Sequence, residues 1–540
     1  MKSFCLLLLF ATSLFSAQTF TKTDTLKGSN TELRNFWDVQ KYELEVEPNF
    51  ESKSLKGKNK ISFTITKDRT NPVFQVDLHD PMQYQILGSD LKNIKAKREG
   101  DFIFLSYEGT VKKGSNHYFE IAFSGHPKVA KNAPWDGGWV FAQDEKGRPF
   151  MSVAQEGEGV AHWLPTKDLW LDEPDQGLLM GIITPSGLTG IGNGRLIKTE
   201  KRSSKNYFLW EVKNPINGYS IVPSIGHYTN FKDHYEGEKG ALDLDYWVLD
   251  YNLEKAKHQF QQVVPMMKAF EYWFGPYPFY EDSFKLVETP YLGMEHQSNV
   301  AYGNGYKNGY LGRDLSGTGV GLKWDFIIIH ETGHEWFANS ITAKEKADMW
   351  IHEAFTSYSE TLFTENYLDR QSADLYQIGT RKAIANDKPI IGHYGVARSG
   401  SGDMYYKGAS MLHTLREAMN NDQKFRQMLR TINEKFYHTQ VSSKEMETTI
   451  EELSGLDLKG FFDQYLRTTQ VPELELNWNK QNGTLEYRFT NVVKEFTLPV
   501  QLSPEVEIRP NERWQSRKLS PQTKITVSPN YYFKVKLTEK

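Results

Sequence analysis

Residues 326–353 read FIIIHETGHEWFANSITAKEKADMWIHE, and no other stretch constrains the fold as tightly. His330 and His334 stand four apart, so on a helix both imidazoles project from one face and can bind one metal ion. Glu331 follows the first histidine and can reach a water at the metal's open position without ligating the metal. Glu353, after eighteen intervening residues, is the third ligand if a second helix supplies it. Three protein ligands plus an open position describe catalytic rather than structural zinc, one ion per chain. Chance can supply an H-E-x-x-H motif, so context has to decide. The run Phe326–Ile329 gives the helix a buried start, and Trp336 and Phe337 carry the apolar character past the second histidine.

Before this stretch, Met1–Ala17 combines Lys2, an apolar block over Phe4–Phe15 and the small residues Ser16 and Ala17. That pattern is a secretory signal peptide, too short in its apolar part to span a bilayer comfortably. An exported protein is therefore expected, periplasmic or secreted, with no transmembrane segment after signal removal. The one cysteine, Cys5, falls in this segment. Without it the chain has no disulfide, no cysteine ligand and no cysteine nucleophile, and relies on core burial, which a chain of this length can supply. With 64 Lys and Arg against 68 Asp and Glu, nothing points to nucleic acid as a partner.

The hydrophobic period divides the rest into three. Tyr42, Leu44 and Val46 alternate with Glu43, Glu45 and Glu47, and turn signals separate similar runs as far as Leu242–Leu249, so residues 18–251 read as one large antiparallel β-domain. From Asn252 the period becomes helical: 253–274 end at Gly275-Pro276, and a mostly α domain follows, 252–469. Residues 470–540 return to short alternating strands. The fold class is multidomain α+β.

Four motifs in this order resemble the aminopeptidase N family of gluzincin zinc peptidases, to which the leukotriene hydrolase/aminopeptidase is also related. They are G-M-E-H at 293–296, H-E-T-G-H-E-W-F-A-N at 330–339, W-I-H-E-A-F around Glu353 and Y-Y-K-G-A at 405–409. The resemblance covers roughly residues 38–540. It implies a thermolysin-like catalytic domain followed by a small C-terminal β-sandwich, in a compact form without the family's long C-terminal helical domain. It also implies peptides with a free N-terminus as substrates, and zinc on His330, His334 and Glu353 with Glu331 as general base. Tyr405 matches the tyrosine that stabilises charge in the reaction, and Glu295 the glutamate that holds the substrate's free amino group. Gly293 and Met294 stand beside it on the substrate side, and Gln155 matches a β-domain glutamine lining the first side-chain pocket. If Glu295 is not the anchor, Gln155 or the neighbouring Glu156 takes its place. The sequence departs from the family pattern at Leu292, His296, Glu335, His352 and Ala354.

Two other readings share parts of this pattern. A thermolysin-type endopeptidase uses the same ligand set, and Glu295 argues against it. A catalytically silent peptide-binding relative needs none of it, and the intact ligands with Glu331 and Tyr405 argue against that.

Overall fold

The computed structural model describes residues 19–540. The expected signal peptide, with Cys5, lies outside the described residues. The strand Trp37–Asn49 buries Tyr42, Leu44 and Val46 on one face and turns its glutamates to the other, as its alternation requires. It sits centrally in a seven-stranded sheet, antiparallel to Ser54–Ile65 with Tyr42 opposite Ile61. Its other neighbour, Leu178–Pro185, runs parallel to it, with Tyr42 opposite Leu178. The expected all-antiparallel domain is corrected on this point. Parallel pairing needs a long crossover, and residues 50–177 provide it by building further sheets before the chain returns. One strand formed there, Pro149–Ala154, joins a four-stranded sheet completed by later strands and leads directly to Gln155 and Glu156. Trp37, Trp139, Trp163 and Trp210 lie fully buried in the core beneath.

A second, five-stranded sheet runs in the order Tyr228–Gly237, Gly240–Leu249, Phe284–Glu288, Val300–Tyr302, Gly293–Met294. Its first two strands precede the change of period at Asn252. They nevertheless hydrogen-bond toward the helical region, Leu244 lying opposite Phe284 in a parallel pair. Leu242, Leu244 and Val248 accordingly pack in the core of the helices, not in that of the first sheet. The helical stretch after Asn252 is divided into Leu253–Gln259, a 3-10 turn and Val263–Phe274. Pro265 accounts for the division: it has no N–H to bond backward, and it is tolerated in the first turn of a new helix.

The helix Phe326–Gly333 packs beside the edge strand Gly293–Met294. Asp325 caps it, accepting from the N–H groups of Ile327 at 3.1 Å and Ile328 at 3.4 Å. The same carboxylate accepts from Gln259, Tyr302 and Asn304, so helix, sheet and preceding helix meet on one buried acid. The helix Trp350–Tyr367 lies alongside, buried from Trp350 to Thr364. Among the described residues, no helix is long and apolar enough to cross a membrane.

The two cores meet along a polar seam. Asn193 donates to the Gln297 carbonyl at 2.7 Å, Gly194 N–H to Ser298 Oγ at 2.9 Å, and Tyr291 OH to the Val153 carbonyl at 2.7 Å. Beyond residue 470 the chain forms a four-stranded sheet and a separate hairpin, Val500–Ser503 with Val506–Ile508. Leu476, Trp478 and Leu502 of this region share one core with the helices.

Asp325→Ala should therefore destabilise the protein by about 2–4 kcal/mol, since it strands two helix N–H groups and three side-chain donors. Denaturant unfolding checks this, and a loss below about 1 kcal/mol would show that water replaces the cap.

Candidate active site

The intrahelical hydrogen bonding ends at Gly333, but His334 keeps helical angles, φ −65° and ψ −18°, so the four-residue spacing survives. The rings of His330 and His334 lie 5.0 Å apart between centroids. Glu353 enters from the first turn of Trp350–Tyr367. Its Oε2 lies 3.8 Å from His330 Nε2 and 3.5 Å from His334 Nε2.

The other ring nitrogens are committed. His330 Nδ1–H donates to Glu360 Oε1 at 2.7 Å, and His334 Nδ1–H to the Phe337 carbonyl at 3.0 Å. These bonds fix both tautomers and leave each Nε2 lone pair facing Glu353. Glu353 Oε1 accepts from Tyr405 OH at 2.9 Å, whereas Oε2 is buried with no hydrogen-bond partner among the described residues. One candidate ligand atom from each of the three residues lies within 4.8 Å of the others. An orphaned buried carboxylate oxygen between two oriented imidazoles fits a zinc ion.

Glu360 was not singled out by the motif reading. It lies seven residues after Glu353, two turns along the same helix face, and that spacing was the available signal. Tyr376 OH holds its second oxygen at 2.6 Å.

These residues face a cleft of about 540 Å³ to which both cores contribute, with Trp135, Glu156 and Glu158 on one wall and Met294, Glu295 and Tyr405 on another. Glu295 is 3% exposed, and its Oε1 has no partner among the described residues. Burial, with Glu156 adding repulsion, drives the Glu295 pKa well up. Burial likewise pushes Glu331 up to about 8 against the opposing pull of His330, with Glu295 and Glu156 adding to the rise, and Glu156 up to about 7. Four acids converging in one buried space make a site that a metal dication and an ammonium group would relieve.

Most of the expected residues meet here. Gly293 and Met294 line the cleft, and Gly293 has a steric reason for lacking a side chain. A Cβ there would lie 2.8 Å from Ile327 Cγ2 and 2.9 Å from Glu331 Oε1. Gln155 is the exception and is corrected. Its Nε2 donates to the carbonyls of Tyr219 and Ile221, and its Oε1 accepts from His162 and Trp163, so the amide is saturated inside the β-domain. The next residue, Glu156, reaches the cleft instead.

Four of the five departures from the family pattern find a place here. Glu335 accepts from Ser298 N–H at 2.9 Å and Tyr277 OH at 2.8 Å, tying the loop after Glu295 to the metal helix. His296 bonds the Gln155 carbonyl at 3.2 Å across the seam. Ala354 faces Gly408, where an added Cβ would come within 2.5 Å of the alanine's own, so the two helices cross at a matched small pair. His352 accepts from Ala343 N–H at 2.8 Å and stacks on Trp170.

Two histidines on one helix, a glutamate from the next and a second glutamate beside the first histidine define a gluzincin metallopeptidase site. Residues 258–465, which carry this site, match the Peptidase family M1 domain, in agreement with the resemblance to the aminopeptidase N family. The chain is similar to a leucyl aminopeptidase of Saccharolobus solfataricus, 21% identical over 491 residues, which are 87% of this chain and 58% of that one. A shorter match, 28% identical over 179 residues, links it to aminopeptidase B of Rattus norvegicus, over 33% of this chain and 24% of the relative. The chain thus spans little more than half the length of the Saccharolobus relative. Among solved structures, a variant of an M1 zinc metallopeptidase from Deinococcus radiodurans, bound to a Tyr-Ser-Ala substrate, shares the fold. Its TM-score is 0.67 at 17% identity, covering 83% of this chain and 98% of that one.

Two substitutions separate metal binding from alignment. Glu360→Gln should weaken zinc binding roughly 10- to 100-fold in competition with a chelator, because it loosens the His330 ring. Gly293→Ala should leave zinc affinity unchanged while turnover falls about 10- to 100-fold, through displacement of Glu331. Equal zinc affinity in Glu360→Gln and wild type would remove Glu360 from the metal site.

Proposed function

We propose that the protein is an exported zinc aminopeptidase that removes the N-terminal residue from peptides with a free amine. The observation that carries this reading is the unpartnered Glu295 oxygen, buried in the same cleft as the ligand triad. A zinc site of this kind cleaves any peptide bond laid across it, so terminal specificity needs a group that detects the chain end. Glu295 is such a group, and Glu156 stands beside it.

His330, His334 and Glu353 would hold the zinc, with Glu360 and the Phe337 carbonyl fixing the rings. When bound, zinc supplies Lewis acidity, lowering the pKa of a water and polarising the scissile carbonyl. Glu331 takes the proton from the attacking water at a carboxylate oxygen and delivers it to the departing amine. Tyr405 OH, which here donates to Glu353, is placed to transfer that hydrogen bond to the carbonyl oxygen as it gains negative charge. Glu295 pairs with the substrate ammonium and so sets which bond reaches the metal.

Aminoacyl anilides, free and N-acetylated, with and without chelator, test the reading. Activity should vanish with chelator and return with added zinc, at about one zinc per chain. Glu331→Gln should lower turnover roughly 10²- to 10⁴-fold and Tyr405→Phe roughly 10²- to 10³-fold, with zinc content and melting temperature near wild type. Glu295→Ala should lose about 30-fold to several thousandfold in kcat/KM on free amines. It should also discriminate far less between free and acetylated substrates than wild type, because both changes remove one charge pair. A variant that kept the full preference for a free amine would take Glu295 out of this role. Export is checked by the mature N-terminus, expected near residue 18.

A further inference from the structure

We infer that His352 is a positioning residue for Glu156, holding that carboxylate toward the substrate amine; the inference rests on the aminopeptidase reading. The His352 ring is fully buried and lies nearly parallel to Trp170, 4.9 Å between centroids and 23° between planes. The Ala343 N–H donates to its Nε2 at 2.8 Å. That nitrogen therefore carries the lone pair, and the ring proton of the neutral imidazole sits on Nδ1. Nδ1 has no partner among the described residues, and neither has Glu156 Oε1. The two atoms face each other at 3.7 Å.

A buried donor and a buried carboxylate oxygen left open toward each other are costly on both sides. A shift of roughly 0.7–1 Å in the Glu156 carboxyl closes the bond. The alternatives around Glu156 serve less well. Lys346 gives its Nζ to the Gly157 carbonyl at 2.5 Å and rests over the Trp170 ring. Glu295 is a second buried acid, and the two carboxylates repel each other when ionised. His352 is uncharged and rigidly stacked, so it orients one oxygen of Glu156 without neutralising the group. Pairing with an ammonium ion is then what favours the ionised carboxylate.

Two isosteres divide the functions of the ring. In His352→Asn the amide nitrogen replaces Nδ1 as donor, while the acceptor for Ala343 is lost. In His352→Gln the amide oxygen replaces Nε2 as acceptor, while the donor toward Glu156 is lost. Binding of an aminoacyl amide and of its N-acetyl form to the zinc-loaded protein, measured by calorimetry, reads the effect without turnover. His352→Gln should weaken the free amine about tenfold or more and leave the acetylated form unchanged. His352→Asn should hold the free amine within about threefold of wild type despite a lower melting temperature. In catalysis the His352→Gln loss should appear in KM with kcat little changed. Equal losses in Asn and Gln variants, or wild-type amine affinity in the Gln variant, overturn the inference. Glu156→Gln gives a second check that does not depend on the histidine variants folding: unchanged amine affinity there also overturns it. Absence of hydrolysis with amine discrimination intact would instead count against the proposed activity alone.

Discussion

Crowding Glu156, Glu295, Glu331 and Glu353 into one cleft is the constraint around which the structure is arranged. Each carboxylate loses hydration, and the neighbours repel one another, so the group is tolerated only if its surroundings supply fixed donors and leave room for positive charge. The donor is aimed: Tyr405 OH donates to one oxygen of Glu353, while Glu335, accepting from Ser298 N–H, keeps the loop after Glu295 in place. Among the described residues, Glu156 Oε1, Glu295 Oε1 and Glu353 Oε2 are buried without a hydrogen-bond partner. A site with every acid satisfied would be more stable and would have no affinity for a cation.

The rigid parts lie beneath. Asp325 joins the start of the metal helix to the sheet and to the preceding helix, so the lone pairs of His330 and His334 are oriented by a frame, not by one another. Glu360 and Tyr376 continue that frame behind His330. Orientation by second partners is what lets an imidazole keep its tautomer while its other nitrogen is exchanged between water, metal and substrate.

How much of this the sequence shows depends on whether the signal is local. His330 and His334 are legible because helix periodicity alone puts them together, and Glu353, on the next helix, through its spacing and motif. Glu295 and Tyr405 are legible only through motif order, since their nearness to the metal is made by tertiary packing. Gln155 misleads because its amide is consumed by His162, Trp163 and the carbonyls of Tyr219 and Ile221, the last two far along the chain. The parallel pairing of Trp37–Asn49 with Leu178–Pro185 was hidden for a similar reason: alternation marks a strand's faces but not the direction of a partner far along the chain. The strands 228–249 read as β correctly, yet nothing in their pattern says which of two cores they cover.

The seam has a mechanical consequence. Glu156 is carried by one core and Glu353 by the other, and Asn193, Tyr291 and Ser298 fasten the two together. On the reading proposed above, with Glu156 sharing the amine with Glu295, part of the spacing between amine and scissile bond is set across this seam, like the gap of a caliper whose jaws belong to separate arms. Slack in the hinge alters what the caliper accepts before it weakens either jaw. In such a molecule, fidelity for the chain terminus is a property of stiffness between domains, and selection on it acts at residues that never touch a substrate.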